Sequence, residues 1–329
     1  MENRRFPIDA VITWVDGNDN DHKKKRNIYG SPEILGAEDV AGNTRYASVG
    51  EIQYCIASLN RYAPWLNRIY VVTDGQDPKV TEFIRTNFPD RQIPVEIIDH
   101  KSIFKGYEEF LPTFNSISIE SMTWRIPGLS EHFIEFNDDF ILAAPTLPED
   151  FFTADGKVVC YGKRYCPLLV KITRAIKRHW NGRKKVTFKE TMLNAAALLG
   201  EKRFFIKIYH TPRALLKSVY ETYFNTFPEQ LERNISYRFR SHRQFNSQEV
   251  QYMLLYKEKR CILRKAYDNL LYLKPKGDIG YTERKLHLFD KRKEFKFCCI
   301  NSLDQAGETA QKRITGWMRQ RIGLKETGQ

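Results

Sequence analysis

A chain of 329 residues, 42% hydrophobic and 13% aromatic, is long and apolar enough to bury a sizeable core, which excludes a disordered or peptide-scale protein. Its 53 lysines and arginines against 40 aspartates and glutamates leave a formal charge of +13, which points to anionic partners without choosing among nucleic acid, acidic membrane and phosphorylated substrates. The six cysteines lack any Cys-x-x-Cys spacing, which argues against zinc, and no uncharged apolar run approaches the roughly 18 residues of a membrane span.

In chain order, Ile8 to Val15 is a β-rich apolar run that ends in the acidic turn Asp16-Gly17-Asn18-Asp19, a buried strand opening onto a loop. The stretch before it is charged and the run is interrupted by Asp9, so it reads as a strand rather than a signal peptide, and the cysteines as reduced thiols in the cytoplasm. Ser48 and Glu51 form a capping-box pattern ahead of Ile52, Cys55, Ile56 and Leu59 at helical spacing, with Pro64 as the stop. Arg68 to Thr73 predicts a second strand ending at Asp74-Gly75. Asp77-Pro78 then predicts a cap and first-turn proline for a helix through Val80, Phe83 and Ile84, and Pro94 to Ile98 a third strand. This alternation predicts a mostly parallel, Rossmann-like α/β sheet flanked by helices, with ligands at the carboxyl ends of its strands.

A helix is expected from Asn115 to Arg125, and His132 to Phe136 forms a strand that delivers Asn137-Asp138-Asp139. Residues 1–150 thus read as the α/β core with its ligand site at the strand ends. Residues 151–290 read as a basic, largely helical insertion, with Lys163, Arg164, Lys171, Arg174, Lys177, Arg178, Arg183, Lys184 and Lys185 in close succession. Within it Thr211-Pro212 and Ser247 predict helix starts. Residues 291–329 read as a strand, Phe295 to Ile300, returning to the core, followed by a basic amphipathic helix carrying Ile314, Trp317, Met318 and Ile322 on one face. That helix either packs on the core or rests on an anionic membrane face.

Adjacent carboxylates after a buried strand suit Mg²⁺ or Mn²⁺, because a hard cation takes oxygen ligands and offsets the crowding of two anions. Such pairs also cap turns, so Asp138 and Asp139 need context. Arg45, Arg125, Arg213, Arg238, Arg240 and Arg243 stand near polar turns where a planar guanidinium can grip phosphate, and His210 is a candidate general base. The absence of a Walker-type loop, a Gly-x-Ser-x-Gly elbow and a His-Glu-x-x-His motif removes several hydrolase schemes. The residues alone therefore reach a metal-assisted enzyme acting on phosphates.

Four ordered blocks resemble the Stealth family of sugar-phosphate transferases, which comprises bacterial capsule and exopolysaccharide phosphotransferases and the animal enzyme that tags lysosomal hydrolases. The first is Asp9 to Asp19. The second runs through Arg45-Tyr46, Glu51-Ile52, Tyr62-Ala63-Pro64-Trp65, Ile69 to Gln76, His100, Leu111 to Ser116, Arg125 to Ser130 and Phe136-Asn137-Asp138-Asp139. The third is Tyr209-His210-Thr211-Pro212 with Arg238-Phe239-Arg240-Ser241, and the fourth Phe297-Cys298-Cys299-Ile300-Asn301. Where the family reads Asn-Asp in the last block this chain has Asn301-Ser302, with Asp304 two positions on, and Trp124 stands where a histidine is common.

The resemblance implies a GT-A-like fold and transfer of a sugar-1-phosphate from a nucleotide diphosphate sugar, such as a UDP-sugar, to a glycan or lipid-linked glycan hydroxyl. It further implies that Asp138 and Asp139 hold metal and diphosphate, helped by Asn301 or Asp304, that Arg240 meets diphosphate charge, and that His210 deprotonates the acceptor. Asp9, Thr13, Trp14, Val15, Asp16, Gly17, Arg45, Asn115, Arg125 and Asn137 are then expected around the nucleotide sugar. The rival reading is a metal-dependent glycosyltransferase, which attacks the sugar carbon and releases the nucleoside diphosphate. Nucleic-acid binding is set aside because no recognised module accompanies the basic stretch.

Overall fold

The computed structural model describes residues 6–42, 46–168, 170, 187–265, 270–275, 279–292 and 294–325. Arg45, the chain start before Phe6 and the basic residues from Lys171 to Lys185 lie outside the described residues. The strands are β1 (Ile8–Thr13), β2 (Arg68–Thr73), β3 (Val95–Asp99), β4 (His132–Asn137), β5 (Phe140–Leu142), β6 (Val158–Tyr165), β7 (Phe205–Ile208), β8 (Arg213–Leu216), β9 (Cys261–Arg264), β10 (Leu270–Leu273) and β11 (Phe297–Ile300).

Five of them form the main sheet in the order β3-β2-β1-β4-β8. The first four are parallel and β8 runs antiparallel to β4, so the α/β class expected from the strand–helix alternation is the one observed. Chain order reverses at β1, whose neighbours are β2 on one side and β4 on the other. The crevice outside the carboxyl ends of β1 and β4 is therefore a topological switch point, where ligands collect in open α/β sheets. Thr13 pairs with Asn137 across it.

The helix Glu51–Tyr62 shows how the sequence builds one cover of this sheet. Ile52, Cys55, Ile56 and Leu59 recur at helical spacing and are all buried. Each such large aliphatic side chain contributes roughly 1.5–3 kcal/mol on leaving water. Ser58, on the same buried side, accepts from the Leu142 amide at 3.0 Å and so ties the helix to β5. The helix starts after Gly50, and the expected capping box is not made: the Ser48 hydroxyl accepts from Trp14 Nε1 at 3.4 Å, while Glu51 accepts from the Val49 amide at 2.7 Å. Likewise Asp77 caps the amide of Lys79, one residue before the helix Val80–Asn87, so the proline precedes that helix instead of opening it.

Further corrections fall beyond β3. The single helix expected from Asn115 to Arg125 is a short helix, Ser116–Glu120, followed by a separate 3-10 turn, Thr123–Arg125. Thr211-Pro212 precedes β8, not a helix, because pairing with β4 outweighs the local preference; proline is tolerated there, ahead of the first paired residue. Residues 151–290 supply strands as well as helices, and β8 carries that region into the main sheet. The late apolar strand is β11, which joins β10 and β5 in a separate small sheet.

The tail helix Glu308–Ile322 packs on the core: Ile314, Trp317, Met318 and Ile322 are buried, and Trp317 Nε1 donates to Asp290 at 3.0 Å. Its apolar face is thus unavailable to a membrane, and Arg313 and Arg321 are engaged by Glu283 and Asp290. Among the described residues no helix is long and apolar enough to cross a membrane.

Candidate active site at the switch point

A cleft of about 990 Å³ opens over the carboxyl ends of the main sheet. Of the residues singled out from sequence, Thr13, Trp14, Val15, Asn137, Asp138, Asp139, His210, Arg240, Asn301 and Asp304 line it. Strand geometry explains the convergence. Thr13 ends β1 and Trp14 and Val15 follow it, Asn137 ends β4 with Asp138 and Asp139 just beyond, His210 comes after β7, and Asn301 follows β11, so four strand ends meet at one place.

Asp138 and Asp139 stand on one wall. Burial, then the neighbouring Asp139 and Glu51 charges, hold the Asp138 carboxyl well above the ordinary carboxylate range. Burial likewise lifts Asp139 to about 6, although hydrogen bonds from Asn301 and Cys299 and the charge of Arg213 oppose the rise. Asp139 Oδ2 accepts from Asn301 Nδ2 at 3.5 Å and faces Cys299 Sγ at 3.6 Å, while its main-chain carbonyl accepts from the Ile300 amide at 3.0 Å. The other carboxylate oxygen, Oδ1, is buried without a partner.

That orphaned oxygen fits a bound cation. Among the described lining residues five carboxylates (Glu51, Glu120, Asp138, Asp139 and Asp304) face three fixed cations (Arg213, Arg240 and Lys274), an imbalance that a divalent ion would offset before an anionic substrate entered. No three His, Cys, Asp or Glu side chains among the described residues cluster as a ready-made metal cage. The donor set therefore suits Mg²⁺, which is commonly held by one or two carboxylates together with water and substrate phosphate oxygens.

Two arginines join the acids in the lining: Arg213 opens β8, the strand paired with β4, and Arg240 follows the helix Pro228–Ile235. Arg240 Nη2 donates to Ser116 Oγ at 2.6 Å, which fixes the fork at the cleft edge. Arg213 is 3% exposed, donates from Nη1 to Asn137 Oδ1 at 3.2 Å, and keeps a buried Nε without a partner. His210 lies between Phe188 and Tyr272, with ring centroids 6.3 and 4.9 Å away. Its residue surface stays open to solvent, yet protein packed around the ring, followed by the charges of Arg213 and Lys207, pushes the imidazole down to about 4. The ring is accordingly neutral at pH 7, the form a base requires.

Several expected pocket residues stand elsewhere. Asp9 lies at the amino end of β1, where Oδ1 accepts from Asn67 Nδ2 at 2.8 Å and Oδ2 from the Ser130 amide at 2.7 Å. It joins the entries of β2 and β4 and does not line the cleft. Arg125 donates to the carbonyls of Ile103 and Lys105 at 2.8 and 2.6 Å and is likewise outside the lining. Asn115 is fully buried behind the wall: it caps Ser116–Glu120 and donates to Tyr237 O and Gln244 Oε1 at 2.8 and 2.9 Å. Asp16, which accepts from the Asn18 amide at 2.8 Å, and Gly17 are also outside the lining. A Cβ at Gly17 would lie 2.2 Å from the Tyr46 carbonyl oxygen, so only glycine lets the cleft-lining Tyr46 approach.

The lining also holds residues given no place in the site from sequence: Glu51, Glu120, Lys274, His22 and His100, while Arg213 had been only one of six candidate phosphate arginines. Periodicity marks Glu51 merely as a helix start. His22, His100 and Arg213 carry no local signal of a pocket, because elements far apart in sequence build it. Ser302, in place of the family's aspartate, adopts the left-handed conformation at φ 59°, a strained state of about 1–2 kcal/mol at the cleft edge.

Residues 6–31 match Stealth protein conserved region 1 and residues 45–160 match conserved region 2. An exopolysaccharide phosphotransferase of Streptomyces coelicolor is 39% identical over 241 residues, which cover 72% of this chain and 41% of that protein. Capsular polysaccharide phosphotransferase LcbA of Neisseria meningitidis is 42% identical over 154 residues, 46% of this chain and 39% of that protein. The Haemophilus influenzae capsular polysaccharide phosphotransferase fcs1 is 33% identical over 257 residues, 75% and 64% of the two chains. The chain thus spans about two fifths of the length of the first two relatives. Among solved structures, the galactosyltransferase LgtC with donor and acceptor sugar analogs aligns over 98% of both chains, with a TM-score of 0.44 at 10% identity. At that level the likeness carries no argument about chemistry.

Proposed function

The chain belongs to the Stealth family, and from that premise we propose that it transfers a sugar-1-phosphate from a nucleotide diphosphate sugar to a glycan hydroxyl, releasing the nucleoside monophosphate. The observation that carries this reading is the convergence of Asp138, Asp139, Arg213, Arg240 and His210 on one cleft, with Arg213 donating to Asn137 beside the acidic pair. The names of the similar proteins, exopolysaccharide and capsular polysaccharide phosphotransferases, support the same class of reaction.

The reaction forms a bond between the acceptor oxygen and the sugar-bearing phosphorus and breaks the bond from that phosphorus to the oxygen bridging the two phosphates. The nucleoside monophosphate leaves with that oxygen and its electron pair, and the bond between the anomeric carbon and its oxygen stays intact. Little covalent chemistry is asked of the protein, so alignment and charge stabilisation dominate. Arg240, held by Ser116, and Arg213, held by Asn137, present guanidinium groups to the diphosphate. His210, neutral and seated between Phe188 and Tyr272, takes the acceptor proton. Asp138 and Asp139, assisted by Asn301, would hold Mg²⁺ or Mn²⁺, which when bound neutralises charge on the diphosphate oxygens. Asp304, on the same lining, stands closest in sequence to the position where the family carries an aspartate.

The test is the identity of the products. Incubated with a panel of nucleotide diphosphate sugars and a glycan acceptor, the protein should yield a nucleoside monophosphate and a phosphodiester resonance in the phosphorus NMR spectrum. Release of a nucleoside diphosphate with no phosphodiester would assign it to glycosidic bond formation. Turnover should stop in EDTA and return with added Mg²⁺ or Mn²⁺.

A further inference from the structure

The cleft contains a second polar pocket that the proposed transfer does not use. It reaches from the carboxyl end of β1, beside the acidic pair, across to the carboxyl end of β3, and its walls include His22, His100, Thr113, Tyr46, Phe114 and Trp14. His100 follows β3 directly, is 2% exposed, and has no hydrogen-bond partner at either ring nitrogen. His22, on the helix Asn20–Tyr29 and 3% exposed, leaves Nδ1 without a partner, and the hydroxyl of Thr113, 2% exposed, is also unpartnered. Buried polar atoms are almost always satisfied, so this concentration in one pocket calls for a ligand that completes it.

The chemistry of the pocket narrows that ligand. Burial holds both imidazoles below the ordinary histidine value, His100 at about 4, so near neutral pH each is an uncharged ring with one donor and one acceptor. Tyr46 and Phe114 set aromatic rings 5.7 and 5.4 Å from His22, and the Tyr46 hydroxyl is anchored to the Phe114 carbonyl at 3.0 Å. Neutral donors and acceptors between aromatic faces, with the nearby charges of Asp74 and Asp99 offset by Lys25 and Arg26, suit neither a phosphate nor a divalent ion. They suit the hydrogen-bonding edge of a planar heterocycle. The spacing agrees for His100, since β3 and β4 are separated by β2 and β1, three strand spacings or about 14 Å, which leaves room for a ribose and a diphosphate between His100 and Asp138.

Resting on the proposed transfer from a nucleotide sugar, we infer that His22, His100 and Thr113 read the nucleobase of the donor and set which nucleotide the enzyme accepts. A site built to hydrogen-bond a ligand edge rejects a molecule that lacks it, because its own groups are then left unpaired. The measurement is calorimetric binding of UMP, CMP, AMP, GMP and the baseless ribose 5-phosphate to the full chain.

At least one monophosphate should bind about tenfold or more tightly than ribose 5-phosphate. His100→Phe should abolish that advantage, and the near-isosteric Thr113→Val should cut it by about threefold or more. Affinity for ribose 5-phosphate should stay within about twofold in both. Thr113→Val keeps the test open if the larger change prevents folding, which a thermal melt reports. Equal binding of all five ligands by the unmodified protein, or an advantage that survives in both variants, overturns the inference. Because the readout is binding, it separates from the reaction: a base advantage lost in the variants upholds this pocket even where the product assay shows no phosphodiester, and a phosphodiester product with no base advantage removes the pocket and leaves the transfer.

Discussion

Two carboxylate sites stand at opposite ends of neighbouring parallel strands, and they have opposite fates. Asp9, near the start of β1, has both oxygens engaged by Asn67 and by the Ser130 amide, so the protein itself completes it. Asp139, just past the end of β4, has one oxygen engaged and one buried without a partner. The difference teaches that burial alone does not mark a functional acid. A buried carboxylate satisfied by its own chain holds strands together, whereas one left incomplete beside like charges awaits a ligand.

The strongest way to break this comparison is Asp139→Asn. It should lower turnover by about a thousandfold or more, as expected when charge stabilisation of the transition state is lost, with an unchanged far-ultraviolet circular dichroism spectrum. A variant that kept a tenth of the activity would make Asp139 structural, like Asp9. Next, His210→Ala should slow transfer by about 10²–10⁴-fold. His210, held at about 4, is already neutral from pH 5 to 8, so an acid limb of kcat/KM in that range belongs to the acidic pair, with Asp139 lifted to about 6, and should persist in His210→Ala. Loss of that limb in the variant would assign the titration to the ring instead.

Asp9→Asn should produce the reverse pattern, a loss of about 1–3 kcal/mol in urea unfolding with kcat within about twofold of native. The smallest effect sharpens the rule using a third acid. Glu135 on β4 is 1% exposed, is held by Thr123 and Gln248, and is lifted to about 7 by burial and by Glu120. The folded state therefore binds a proton that the unfolded chain releases. Its contribution is most favourable below the ordinary value of 4.5, declines as pH rises to about 7 and is level beyond. Glu135→Gln should flatten that decline and raise stability at pH 8 by about 1–2 kcal/mol. Equal pH dependence of unfolding in the two proteins would show that Glu135 ionises freely in the fold.

Much of the sheet was legible because β-rich runs and turn residues alternate with helical periodicity, as in Arg68 to Thr73 followed by Asp74-Gly75. Local reading failed where a side chain found a distant partner. Ser48 serves Trp14 instead of its own helix, and Thr211-Pro212 precedes a strand because β4 offers a free edge. Asp9 was placed with Trp14 since both belong to one matching block, but five residues of extended strand carry them about 16 Å apart, to opposite ends of the sheet.

The sequence by itself determined the parallel α/β sheet and the acidic turn that ends β4, because strand content and turn chemistry are properties of contiguous residues, while the expectation that His210 and Arg240 share a cleft rested on the resemblance. Only the tertiary structure decided which polar groups are completed and which are left open. Satisfaction of Asp9 by Asn67 and Ser130, the unpartnered oxygen of Asp139 and the empty hydrogen-bonding capacity of His100 all depend on what distant segments bring within about 3 Å, the reach of a hydrogen bond.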